Sequence, residues 1–328
     1  MTLLAWGTSL AEIPGMKTGM AAVTTASRIS PGVAEGIECE NSSENGYRQL
    51  DFAASSEIWV SFYYSEVSST ANSRRFGFRI CSDGSVLFQW GGSSINNNNL
   101  YMQYWNGASY TNMTSAPFPV NSLSHILIHI KMDDTVGIIE YFVNGVLIAS
   151  FSGDTITTGI TTLNQLKIGP TDAGGLSSGM CYSAIMVADH DISNLMYLQR
   201  AVNGAGAETA WTGDYTSVDE TGVSDADIIY SANNGDVETF TKAAQSSLYN
   251  TYNIYGVGVS ARAKRGTSGP QNLQLVARSG STNGFSANKA LDLAWTTEQE
   301  LFDENPDTAA PWTFAEADSA QVGVKAIT

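Results

Sequence analysis

The sequence predicts an all-β protein of two domains, and three observations carry that reading. Short apolar runs, several of period two, recur along the chain between clusters of Gly, Asn, Asp and Ser. Of the 328 residues, 15% are charged and 43% hydrophobic, with 31 glycines. That balance fits a β chain with many turns and not a disordered one, which would be poor in aromatics and rich in charge. Finally, Asn144-Gly145 sits between two apolar arms in 138–153, IIEYFVNGVLIASFSG. Both residues accept the positive φ angles of a type I′ turn, so the pair is a strong hairpin signal.

The hairpin can be read outward from its turn. One face would set Val143 against Val146, Tyr141 against Ile148 and Ile139 against Ser150. The other would set Phe142 against Leu147, Glu140 against Ala149 and Ile138 against Phe151. Both faces are largely apolar, so the hairpin is expected to be covered on both sides.

Further strands are expected at 57–64 (EIWVSFYY), 76–81 (FGFRIC), 85–90 (SVLFQW), 125–132 (HILIHIKM), 165–168 (QLKI) and 180–187 (MCYSAIMV). A short helical period appears at 192–202, ISNLMYLQRAV. Residues 203–226 are turn-rich and acidic, and read as a packed connection because Trp211, Tyr215 and Val218 interrupt them. A second series of strands follows at 227–231, 237–241, 252–263, 273–278, 290–296, 298–303 and 321–327. The expected organisation is therefore a domain over 1–202, a connection over 203–226 and a smaller β domain over 227–328.

The net charge of −16 is spread along the chain: 16 acidic and 7 basic residues from Gly206 onward, 16 and 9 before it. Nucleic acid is excluded as a partner, because phosphate binding needs clustered Lys and Arg. The small basic cluster Arg262, Lys264 and Arg265 reads as a turn between strands. No segment approaches the ~18 apolar residues of a membrane span, and a membrane is not expected as a partner. Cys39, Cys81 and Cys181 form no C-x-x-C pair and fit free, mostly buried thiols made in a reducing cytosol.

Residues 35–190 resemble the concanavalin A-like, laminin G-type jelly roll. The likeness is carried by EIWVSFYY, by HILIHIKMDDTVGIIEYFVNGVLIASFSGDT with its terminal hairpin, and by the closing strand MCYSAIMVADHDIS. The implied fold is a concanavalin A-like jelly-roll sandwich followed by a second β domain. WTGDYTSVDETGVSDADIIYSANNGDVETFT and the ending ENPDTAAPWTFAEADSAQVGVKAI are similar to segments of tailed-bacteriophage virion proteins. That resemblance implies a non-enzymatic structural or surface component of a phage particle, in tail, fibre or capsid decoration. It would be made in the host cytoplasm, form homo-oligomers, dock on other virion proteins and reside in the virion. Where such jelly rolls close on a Tyr-Ile-Asp-Asp run, this chain reads Tyr182-Ser183-Ala184-Ile185, without the acidic pair.

Four chemistries have candidate residues in the sequence. Paired carboxylates for glycoside hydrolysis have their nearest counterparts in Glu35, Glu38 and Glu40 and in Glu298 and Glu300, neither group with a supporting neighbour, so no catalysis is expected. His125 and His129 would share a strand face but lack a third zinc ligand, and His129 is expected to bond backbone. Laminin G-type modules imply calcium at one rim, for which Asp133, Asp134, Asp154, Asp172, Asp189 and Asp191 are the acidic turn residues; no other cofactor is expected. Tyr101, Tyr104, Trp105 and Tyr110, among many Asn, offer a platform for a host surface glycan, which makes a lectin-like receptor-recognition module the alternative function. The competing reading makes them two short strands joined at Asn106-Gly107 with the aromatics buried.

Overall fold

The computed structural model describes residues 2–8, 13, 15–16, 20–23, 29–39, 47–66, 76–92, 99–113, 116–117, 122–156, 159–169, 180–220 and 224–328. The chain divides into two units, Met1–Gln199 and Arg200–Thr328. Both are built of antiparallel strands, as the sequence predicts.

In the first unit the strands run β1 (Leu3–Gly7), β2 (Gly15–Met16), β3 (Met20–Val23), β4 (Gly36–Cys39), β5 (Tyr47–Ser55), β6 (Glu57–Glu66), β7 (Phe76–Ser82) and β8 (Ser85–Gly92). They continue as β9 (Asn99–Trp105), β10 (Tyr110–Asn112), β11 (Ala116–Pro117), β12 (Ser124–Lys131), β13 (Gly137–Val143), β14 (Val146–Gly153), β15 (Leu163–Ile168) and β16 (Met180–Ala188). One sheet has the order β14-β13-β12-β6-β16-β4-β3, with β1 also on β16; the other has β10-β9-β8-β7-β15-β5-β2, with β11 on β9. The non-sequential neighbours are those of a jelly roll, and the concanavalin A-like sandwich expected from the sequence is the fold found.

Alternation places the core. From the first sheet, Ile58, Val60, Phe62 and Tyr64 of β6 and Ile126, Ile128 and Ile130 of β12 point inward. From the second sheet, Phe78 and Ile80 of β7, Phe88 and Trp90 of β8, Met102 of β9 and Leu166 and Ile168 of β15 meet them. Phe62 stacks on Phe78 with centroids 4.3 Å apart and receives the edge of Trp90 at 5.2 Å. Aromatic pairs of this kind add about 0.5–1.5 kcal/mol beyond burial.

The hairpin departs from its expected register after two pairs. Val143 faces Val146 and Phe142 faces Leu147, but a bulge then sets Tyr141 against Ala149 and Ile139 against Phe151. The slip brings Ala149 and Phe151, in place of Ile148 and Ser150, opposite the inward-facing Tyr141 and Ile139, while Glu140 pairs with Ser150 on the other side. Within the chain, Val146 and Leu147 beside the turn are left exposed. The expected helical turn at 192–202 is also corrected: residues 191–201 are irregular, because the segment docks through single bonds such as Gln199 N–H to Gly32 O at 2.9 Å.

In the second unit the elements are β17 (Val202–Thr209), β18 (Val237–Lys242), β19 (Val257–Ala263), β20 (Asn272–Ser279), β21 (Thr282–Phe285), β22 (Lys289–Ala290), β23 (Thr296–Phe302), β24 (Glu304–Asn305), β25 (Ala310–Pro311), α1 (Phe314–Ser319) and β26 (Gln321–Ile327). The main sheet has the order β17-β18-β26-β20-β21, with β22 on β20, and β19 pairs with β23 in a separate ribbon. Residues 203–226, expected as a connection, open with β17: its alternating small and polar residues lie on β18 as an edge strand. Conversely, 227–231 contributes an isolated bridge, Thr212 to Tyr230, in place of the expected strand.

Helix α1 begins with a capping box between Thr313 and Glu316. It ends on Lys242, whose Nζ donates to Ala317 O at 2.6 Å, Asp318 O at 2.7 Å and Ala320 O at 2.9 Å. Those three carbonyls are the acceptors a helix end leaves unsatisfied. Burial lowers the Lys242 pKa from its ordinary 10.5 to about 8. The unfolded chain therefore binds more protons between those values, so this group makes stability rise with pH across that window. Lys242→Met should lower the unfolding free energy at neutral pH by about 1–3 kcal/mol for the unsatisfied carbonyls. The deficit relative to wild type should widen as pH is raised from 8 toward 10.5, measured by urea denaturation of both proteins across that range.

Candidate functional site

With Phe78, Ile80, Phe88, Trp90 and Met102 inward, the alternate residues of the second sheet face outward. These outward residues form one line. Gln49 of β5 faces Lys167 of β15, Lys167 faces Arg79 of β7, Arg79 faces Gln89 of β8, Gln89 faces Gln103 of β9, and Gln103 faces Asn112 of β10. Six neighbouring strands thus give one polar side chain each to a row running across the sheet. At about 4.8 Å between strands the row spans roughly 24 Å.

The row is ordered by its own bonds. Gln89 Nε2 donates to Gln103 Oε1 at 2.5 Å, and Gln103 Nε2 donates in turn to Asn112 Oδ1. The amides therefore run head to tail away from Arg79. At the other end Gln49 Nε2 donates to the Asp51 carboxylate at 2.8 and 3.2 Å. Lys167 Nζ lies 5.1 Å from the centroid of the Tyr47 ring. The centre is sunk, Arg79 and Gln89 each being 7% exposed, whereas Asn112 at one end is exposed and Lys167 is half-buried.

Beside the centre of the row lies the Cys81 thiol. Burial raises its pKa to about 11, while the charges of Lys167 and Arg79 pull the other way. Two cations and a desolvated thiol thus share one low-dielectric patch, where charge interactions are stronger than in water. The thiol should stay protonated and unreactive at pH 8. Iodoacetamide labelling followed by peptide mass analysis should show Cys81 modified slowly in the folded protein and rapidly in guanidinium chloride; rapid labelling of the folded protein would contradict the burial.

The four aromatics singled out from sequence separate. Trp105 and Tyr110 face one another across β9 and β10 beside the Gln103–Asn112 end of the row, with ring centroids 5.1 Å apart. Tyr110 Oη donates to Val86 O at 3.0 Å. Tyr104 points to the opposite side and packs on Phe151 at 4.9 Å, so it cannot join them on one platform. The side chain of Tyr101 lies outside the described residues. The turn is where the sequence places it: Asn106 Oδ1 accepts from the N–H groups of Ala108 and Ser109, and Gly107 has φ +92°.

The aspartates proposed for calcium do not converge. Asp133 accepts from Thr135 N–H, Thr135 Oγ1–H and Val136 N–H at 2.9–3.0 Å, and these bonds hold its carboxyl below the usual range. Asp134 follows it in the same turn. Asp154 accepts from Ile156 N–H, Asp191 from Ser193 N–H, and Asp189 from Thr2 N–H while bonding His190. Asp133, Asp154 and Asp191 each tie their own loop, whereas Asp189 ties the start of the chain to the end of β16. Among the described residues no three His, Cys, Asp or Glu side chains lie where they could share a metal ion, and Asp172 lies outside those residues.

On the outer face of the first sheet His129 bonds no backbone group through its ring, contrary to expectation. Its Nε2 meets Glu57 and its Nδ1 meets Glu140, both at 2.9 Å, and the ring stacks on Trp59 at 4.0 Å. His125 Nε2 is 2.8 Å from Ser61 Oγ. With both His129 nitrogens held by carboxylates, neither is left to ligate zinc. Glu298 and Glu300 lie on β23 of the second unit, Glu300 ion-paired to Lys289 at 2.8 Å. Glu40 lies outside the described residues.

The first unit is thus a concanavalin A-like sandwich carrying an ordered polar row with two cations on one sheet face. No protein-family model matches the sequence, and no curated protein matches it. Similar solved structures include an endo-β-1,4-glucuronan lyase from the fungus Trichoderma reesei, at 11% identity and TM-score 0.43 over 58% of this chain and 96% of that one. An alginate lyase matches at 10% identity and TM-score 0.39 over 60% and 98%. The globular domain of T. cruzi calreticulin matches at 12% identity and TM-score 0.40 over 56% and 84%. The expectation of a non-enzymatic virion component or receptor-recognition module is corrected on this finding: the matches include lyases of polysaccharides, and nothing in them points to a phage particle. The expectation that the chain is not an enzyme is corrected with it. At these identities the likeness is one of fold, and function is argued from the chain's own residues.

Proposed function

We propose that the first unit is an enzyme domain acting on an acidic polysaccharide laid along the polar row. The observation that carries this reading is the register of Gln49, Lys167, Arg79, Gln89, Gln103 and Asn112 across six strands. Amides suit sugar hydroxyls, since each offers both donors and an acceptor. A guanidinium suits a carboxylate, which it can bind through two parallel N–H bonds. Trp105 and Tyr110 then supply apolar surface for a pyranose ring at the Asn112 end of the row.

The same arrangement favours eliminative cleavage. Pairing a uronate carboxylate with Arg79 and Gln89 withdraws its charge and makes the adjoining C–H more acidic. The C–H proton passes to a solvent hydroxide, its electron pair forms the new C=C bond, and the bond from the next carbon to the glycosidic oxygen breaks, which leaves an unsaturated sugar at the new chain end. Lys167, paired with Arg79 across one strand step, is the row's proton donor for the departing oxygen.

The whole protein would be incubated with polyglucuronate, alginate and a neutral glucan, following the ultraviolet absorbance of unsaturated uronate and the shortening of the polymer. Turnover is expected on an acidic polymer and not on the neutral one. Arg79→Gln should lower kcat by about 10²–10³, the usual cost of removing one donor to developing negative charge, with denaturation midpoints unchanged. Absence of both binding and turnover with every acidic polymer would sink the reading.

A further inference from the structure

The second unit has 16 acidic and 8 basic residues, yet three of the eight fall within four positions: Arg262, Lys264 and Arg265. The sequence reads them as a turn. The structure places them at the end of the β19–β23 ribbon, where Ala263 faces Thr296 and Trp295 comes immediately before β23. Lys264 Nζ lies 4.6 Å from the Trp295 ring centroid and the Arg262 guanidinium carbon 5.8 Å from it. Arg262 is already engaged with Asp225, through Nε at 2.7 Å and NH2 at 2.9 Å. Among the described residues Lys264 makes no direct ion pair, although its charge acts on the same Asp225 carboxylate and helps to lower its pKa.

An exposed lysine normally samples many rotamers, and ordering them opposes binding. Here the indole face holds the ammonium by its quadrupole, and the Asp225–Arg262 pair fixes the second cation beside it. The result is a preorganised positive spot next to a half-buried indole. In a unit otherwise acidic, that combination fits a ligand with one negative group and one apolar face.

We propose that Arg262, Lys264 and Trp295 form a second anion site, taking the carboxylate of an acidic sugar on Lys264 with the pyranose face against the indole edge. Its ligand class rests on the function proposed for the first unit; the site itself does not. Each unit then carries an acidic-sugar site of its own.

Isothermal titration of the whole protein with an alginate tetrasaccharide, using a neutral tetrasaccharide as control, tests both sites at once. Wild type should bind two acidic tetrasaccharides per chain, and Arg79→Gln, Lys264→Gln and Trp295→Phe one each. Lys264→Arg, which keeps the charge, should restore two. A single wild-type site lost in Arg79→Gln and kept in Lys264→Gln overturns the second site and leaves the first unit's reading intact. A single site lost in Lys264→Gln and kept in Arg79→Gln does the reverse, and no binding at all overturns both. Equal binding of the neutral tetrasaccharide overturns the assignment of the ligand class.

Discussion

Phe62 is the side chain on which the first unit closes. It stacks on Phe78, takes the edge of Trp90 and leans on Tyr182 at 5.9 Å, joining strands of both sheets through one ring. Tyr64 extends the same cluster onto Trp90 at 4.9 Å. With these rings inward, strand alternation leaves no freedom for their neighbours: Arg79 follows Phe78, Gln89 lies between Phe88 and Trp90, and both must face out. A register slip of one residue would turn the guanidinium into the apolar core and the ring out of it. The polar row is thus the reverse side of the aromatic core, and its alignment is as strict as the core packing.

The charge of the molecule sets the conditions under which such a row can work. A net −16 repels a polyanion at long range, and that field is screened beyond about 8–10 Å at ordinary ionic strength. Arg79 and Lys167 act at short range on a partly desolvated floor, where screening is weak. Association with an acidic polymer is therefore expected to tolerate, and at its onset to gain from, moderate salt. This is the opposite of the salt response of a basic polyanion binder.

The fold was legible because it rests on local signals. Asn144-Gly145 specifies its turn, and most of the apolar runs in the sequence became strands. What misled was local as well: the bulge beside Ile148, which no residue type announces, shifted the hairpin register, and 203–209 lacked the bulky residues that mark a strand. The row itself was present in the sequence as a pattern not used: a single polar residue between two larger apolar ones in F-R-I, F-Q-W, M-Q-Y and L-K-I. Each triplet is unremarkable alone. Only the strand order, with β15 inserted between β7 and β5, makes them neighbours, and no short-range signal encodes that order. Tyr104 and Trp105 show the same limit from the other side, since adjacent aromatics on a strand must point to opposite faces.

The row draws its members from positions as far apart as Gln49 and Lys167, in a strand order that does not follow the chain. Contacts so distant in sequence form slowly, because loop closure must precede any gain from pairing. No fragment ending before β15 can hold both Lys167 and Arg79. The row is accordingly completed late in folding and is absent from any nascent chain still short of residue 168. During synthesis about half of the chain is therefore made before the row can form, and it forms only when the strand inserted between β5 and β7 arrives.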